Sequence, residues 1–311
     1  MNKSHANATV DLQTSLPLQS LIDARHQLPR SLSSKKQGRS EFPGQRISQR
    51  RGQGLEFTDL RQYTTGDDIR HIDWNVTARS NEPYTRLYRE EREHTTTVVV
   101  DFRPSMFSGS QCLRAVSAGK LAASVLWHAC ESGDRCSAMV VSRYGQSVSR
   151  PLAGQRGALQ AIELIAAEFN AVSDSAEHQD PPLSALLDSI NKANRSGGSY
   201  VVFSGFDTDS DPGWQQQLTI TGATGRMTAV MLLDPLEVNG LPHGSYPYKT
   251  HTLATVATVN QTNRRILNDA LQQSVQQQIN LFEKSRVPYL IHNIDHDSSR
   301  ALQSLQQRAL L

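Results

Sequence analysis

Thr95-Thr96-Thr97-Val98-Val99-Val100-Asp101 reads TTTVVVD, and the rest of the chain can be read outward from it. An unbroken β-branched run ending in a carboxylate has the composition of a strand buried on both faces, which belongs in a parallel sheet. Downstream, residues 113–131 predict a helix that is apolar on most sides, stopped by Ser132-Gly133-Asp134. Residues 136–142 predict a second strand, with 147–152 as its partner across Tyr144-Gly145. Helices are expected at 158–169 and 183–193, and strands at 200–203 and 228–233. Residues 262–284 space Leu267, Leu271, Val275 and Ile279 four apart, with glutamines on the wet face. A strand at 287–291 and a helix at 299–310 follow. Strands alternating with helices predict an α/β fold, a mostly parallel sheet with helices on both faces.

Composition narrows the class. The chain has 311 residues, 37% hydrophobic and 20% charged, with a net charge of +2, which suits a globular protein of about two domains, or of one large α/β domain with an appendage. Cys112, Cys130 and Cys136 lack metal-type spacing, and so few thiols in odd number suit a reducing compartment. No run approaches the roughly 20 apolar residues that span a bilayer, and the first residues lack a signal-type apolar stretch. The expectation is a cytoplasmic protein, with peripheral membrane association left open. There is no P-loop, no G-x-G-x-x-G and no G-x-S-x-G.

Upstream of the strand, residues 52–79 read GQGLEFTDLRQYTTGDDIRHIDWNVTAR. Glu56, Asp59, Asp67, Asp68 and Asp73 alternate with Arg61, Arg70 and Arg79, and both are interleaved with Leu55, Phe57, Leu60, Tyr63, Ile69, Ile72 and Trp74. This is a charge network over an apolar floor, expected to form short strands and turns, with Thr65-Gly66-Asp67 and Asp73-Trp74-Asn75 as turn points. The segment resembles the signature of the bacterial "domain of unknown function 58" family. The resemblance rests on Gly54, Glu56, Phe57, Leu60, Arg61, Tyr63, Gly66, Asp67, Asp68, Arg70, Ile72, Asp73, Trp74, Thr77, Ala78 and Arg79, and continues through Pro83, Arg86, Glu90 and the strand ending in Asp101. It is close over residues 40–110 and extends beyond only by architecture.

The resemblance implies an adaptor or co-chaperone encoded near MoxR-type AAA+ ATPases and other von Willebrand factor A-like proteins, the ATPase supplying ATP hydrolysis. On that reading the partner-binding residues are Arg61, Asp67, Asp68, Arg70, Asp73, Trp74 and Arg79, with Trp74 as anchor and the charges giving orientation. The order of elements also resembles a von Willebrand factor A-like domain, in which a D-x-S-x-S motif after the first strand helps bind Mg²⁺ or Mn²⁺. Asp101, Ser105 and Asp207 are the matching metal candidates. The chain departs from the motif, because Arg103 stands at the first serine position, Arg156 enters a later loop, and Asp207 is displaced by two residues. The two arginines could pair with Asp101 in place of a metal.

Two other classes are carried forward. Asp67, Asp68, Asp73, Glu90, Glu91 and Glu93 could serve a metal-dependent hydrolase; against this stands an Asp–Arg network among Arg61, Arg70, Arg79 and Arg86. Residues 25–51 are strongly basic and could grip nucleic acid or an anionic surface, but Phe42 is their lone aromatic, so base stacking is unsupported. The expected organisation is a flexible basic segment at 1–45 with a short helix at 16–28, a signature region at 46–94, and an α/β domain at 95–311.

Overall fold

The computed structural model of the chain describes residues 13–27, 55–80, 82–90, 94–173, 181–193, 198–207, 211–249 and 254–308. In chain order they form α1 (Leu18–Asp23), β1 (Leu55–Gln62), α2 (Trp74–Ser80), β2 (Tyr84–Glu90), β3 (Thr95–Phe102), α3 (Arg114–Glu131), β4 (Arg135–Ser142), β5 (Gly145–Val148), β6 (Leu152–Ala153) and α4 (Gly154–Ser173). Then come α5 (Leu183–Ala193), β7 (Ser199–Ser204), α6 (Trp214–Thr224), β8 (Met227–Leu233), α7 (Pro235–Asn239), β9 (Gly244–Lys249), β10 (Ala254–Val259), α8 (Arg264–Lys284), β11 (Tyr289–Asn293) and α9 (Ser298–Gln307). By internal contacts the chain divides into two units, residues 34–93 and the remainder.

The larger unit is an α/β sheet of order β11-β8-β7-β3-β4-β5, with β6 also on β4. The five strands from β11 to β4 are parallel; β5 and β6 run antiparallel to β4. β3 is central, paired with β4 on one side and β7 on the other. Its alternation sorts the core. Val98, Val100 and Phe102 join the helices α3, α4 and α9 on one face. Val99 joins α5, α6 and α8 on the other, around Trp214, Leu218 and Phe282. Burial on both faces is why the strand shows no polar alternation.

Residues 13–27 belong to this unit, and the short helix expected at 16–28 is there as α1 and the 3-10 turn Ala24–Gln27 that follows it. Leu16, Leu21 and Ala24 are buried on α3. A Cβ on Gly119 would stand 2.4 Å from Leu16 Cδ2, so the bare helix backbone there makes the seat for that side chain. The Trp127 indole N–H donates to the Leu21 carbonyl at 3.1 Å, and the Arg25 guanidinium stacks 5.4 Å from the Trp127 ring. Most of the basic segment, from residue 28 onward, lies outside the described residues.

The smaller unit pairs β1 with β2 antiparallel, with a register shift between Phe57 and Asp59. Between them the chain makes a 3-10 turn, Ile69–His71, and then α2. The expectation of a turn at Asp73-Trp74-Asn75 is corrected: a helix starts there. Asp73 Oδ1 accepts the N–H groups of Asn75 at 3.0 Å and Val76 at 3.2 Å, as an N-cap does. The Asp73 N–H donates to the Tyr84 carbonyl at 2.8 Å, tying the helix start to β2.

Candidate functional site

Two places gather the predicted functional residues, and they differ in what surrounds the charges. The first is the carboxyl edge of the sheet, beside central β3. The connections leave β3 toward β4 on one side and return to β7 on the other, which makes the β3/β7 edge the switch point where α/β folds place ligands. Asp101 is there, fully buried. Its Oδ1 accepts the Arg103 N–H at 2.9 Å, and the Arg103 fork lies across both oxygens at 2.9 to 3.1 Å. The Ser204 hydroxyl donates to Asp101 Oδ2 at 2.6 Å. Arg103 is itself 2% exposed.

This donor set does not fit a hard cation. A divalent ion would have to take the same two oxygens from a buried guanidinium that already neutralises them. Arg103 makes this pairing; Arg156, the second expected partner, is exposed on α4. Asp207 is engaged elsewhere, by the Arg114 guanidinium at 3.2 Å. Ser105 lies on the 3-10 turn Pro104–Met106 that follows β3. Among the described residues no three histidine, cysteine or acidic side chains converge to hold a metal.

Arg114 went unnoticed in the sequence. It opens α3, is 9% exposed, and reaches Asp207 and Glu237, the latter at 2.6 Å. Burial alone would favour its neutral form, but Asp207, Glu237 and Asp234 reverse that and raise its pKa. An arginine at the first position of a mostly apolar helix was the available signal.

The second place is the smaller unit. Here the carboxylates serve local structure. The Arg61 guanidinium pairs with Asp67 at 2.6 Å, and the Thr64 N–H and hydroxyl donate to the same carboxylate at 3.0 and 3.1 Å. The Thr64 N–H foremost, then its hydroxyl and Arg61, hold the Asp67 carboxyl below its ordinary range. Arg86 pairs with Asp73 at 2.9 Å and leads the causes that lower the Asp73 pKa, ahead of the Val76 and Asn75 amides. Asp68 Oδ1 accepts the Arg70 N–H at 3.0 Å and caps the 3-10 turn.

The expected network is therefore divided. Arg61 and Arg86 are in it. Arg70 and Arg79 are exposed and form no ion pair with a described residue. Trp74 is 66% exposed and Ile69, which the sequence reading left out of the site, is 64% exposed. Glu91 and Glu93, offered for a hydrolytic site, lie outside the described residues; Asp67 and Asp73 are each closed by an arginine. Among the described residues no helix is long and apolar enough to cross a membrane.

Comparison with known proteins bears on the family. The chain is similar to the uncharacterized proteins Rv1480 of Mycobacterium tuberculosis and Mb1516 of Mycobacterium bovis, 28% identical over 191 residues in each case. Each match covers 60% of this chain and 57% of the relative, so the chain spans little more than half the length of these relatives. Among solved structures it is similar to the conserved hypothetical protein BatB from Bacteroides thetaiotaomicron. That match has a TM-score of 0.40 and 13% identity, and covers 70% of this chain and all of that one. The family described as "Protein of unknown function DUF58" matches residues 59–280, from the middle of β1 into α8 and so every strand of the sheet but β11, and the chain belongs to that family.

Proposed function

We propose that the chain is a non-enzymatic interaction module, an adaptor or co-chaperone that works with a MoxR-type AAA+ ATPase in the cytoplasm. One observation carries the module reading. The signature unit pairs Asp67 with Arg61 and Asp73 with Arg86, yet leaves Trp74, Ile69, Arg70 and Arg79 in water. Large apolar side chains beside arginines have the composition of an interface centre, where an aromatic anchors and the cations orient. The ATPase as partner is what the family resemblance implies.

The test is affinity capture of the tagged full chain from its native cells, with Mg²⁺ and a non-hydrolysable ATP analogue present. Mass spectrometry is expected to find an AAA+ ATPase with wild type and to lose it with Ile69→Ser/Trp74→Ala. A folded wild type that captures no ATPase removes this partner. Equal capture by the variant removes the surface.

A further inference from the structure

The exposed face of the signature unit has a definite shape and sign. On α2 the exposed residues are Trp74, Asn75, Ala78, Arg79 and Ser80, and the first four, at i, i+1, i+4 and i+5, form one continuous stripe of the helix. Val76 and Thr77 are half-buried on the other side, and the Thr77 hydroxyl accepts the Tyr84 N–H at 3.1 Å. The preceding 3-10 turn adds Ile69 and Arg70, both exposed. The arginines on these two elements, Arg70 and Arg79, form no ion pair with a described residue.

Such a face suits a carboxylate-bearing protein segment better than a nucleic acid. Guanidiniums take carboxylates in two-pronged fashion, as they also take phosphates, so the aromatic side chains decide between the two. Stacking of successive bases needs several exposed aromatic faces, whereas among the described side chains of this unit Tyr63 and Tyr84 are half-buried and Trp74 is the exposed aromatic. We propose that this face takes an acidic segment of a protein partner, which sets an aliphatic side chain on Trp74 and Ile69 and carboxylates on Arg70 and Arg79. The inference rests on the reading of the signature unit as a docking surface.

The chain carries its own reporter. Its three tryptophans are Trp74, Trp127 and Trp214, and the last two are 2% and 1% exposed, so collisional quenching reports Trp74. Iodide is expected to quench the full chain better than caesium, with the order reversed in Arg70→Glu/Arg79→Glu. A synthetic peptide of glutamate and leucine pairs is then expected to shield Trp74 from acrylamide. That affinity should fall roughly tenfold in the charge-reversed variant and weaken with salt. The lysine–leucine counterpart should not shield.

Absence of shielding by the glutamate peptide overturns the proposal. So does equal shielding by both peptides, an unchanged affinity in the variant, or tighter shielding by oligo-thymidylate or by phosphatidylglycerol vesicles at the same ionic strength. Both substituted residues are exposed, so an unchanged thermal transition verifies the fold. The two readings fail separately. An ATPase captured equally well by wild type and the charge-reversed chain would sink the acidic segment and leave the module. Peptide shielding without ATPase capture would keep the acidic segment and change the partner.

Discussion

Arg103 and Arg114 of the α/β unit and Arg70 and Arg79 of the signature unit do opposite jobs. In the α/β unit, Arg103 and Arg114 are at least nine-tenths buried, and carboxylates meet them at 2.6 to 3.2 Å. In the signature unit, Arg70 and Arg79 stand exposed beside Trp74. A buried charge must be paired, because leaving water is expensive, so its partner reveals a structural role. An exposed charge beside exposed apolar surface is under no such constraint, and its arrangement is free to match another molecule. Pairing with a carboxylate thus separates the charges that hold the fold, half-exposed Arg61 and Arg86 included, from those available for recognition, although both sets look alike in sequence.

The contrast is broken most directly at Arg103. Arg103→Met leaves the Asp101 carboxylate buried without its counter-charge, and unfolding in denaturant should show a loss of about 3–5 kcal/mol. Arg103→Met/Asp101→Asn should recover most of that loss. A single variant as stable as wild type would show that the pair is not structural.

Acid tests the buried side of the contrast at His292 on β11, which is 4% exposed. Burial, helped by the charge of His296, pushes its pKa from 6.5 down to about 4, against the pull of Asp295 and Asp297. The unfolded chain therefore binds a proton between about pH 6.5 and pH 4 that the folded chain refuses, so stability falls as pH falls through that window. The full loss is on the order of 3 kcal/mol below the lower pKa. His292→Asn should flatten this slope in pH-dependent denaturation curves; an unchanged slope would assign it to other groups.

Smaller effects follow. Gly119→Ala drives a methyl into Leu16 and should destabilise by about 1–3 kcal/mol, read as a lower thermal midpoint. Smallest of all, Trp74→Ala and Arg79→Ala should each change stability by no more than about 0.5 kcal/mol. A large loss in either would move that residue from the recognition group to the structural one.

The sequence was most readable where one short-range pattern settles both structure and burial. β3, α3, α5 and α8 fall close to where their apolar spacing places them. α6 did not show, because its stretch WQQQLTITGAT mixes β-branched residues and Gly222 into a helix. It is held from outside: a Cβ on Gly222 would stand 1.9 Å from the Ser285 carbonyl, and Trp214 packs 5.8 Å from Phe206. The β9–β10 pair carries Pro247, which argues against a strand in any central position. At the candidate site, the carboxylate–arginine alternation was visible but the pairing was not. Nothing in the spacing tells that Asp73 takes Arg86, thirteen residues on, and leaves Arg70 and Arg79 aside.

The seat of residues 13–27 also sets an order of events. The Trp127 indole that bonds the Leu21 carbonyl is 106 residues further along the chain. During synthesis the early segment must therefore wait, its leucines unburied, while the whole signature unit and then β3 and α3 leave the ribosome. It is made before the surface it covers. A factor that shelters short apolar segments on nascent chains would meet this one during that interval, and ribosome stalling before Trp127 should leave it open to protease, whereas stalling well after α3 should protect it.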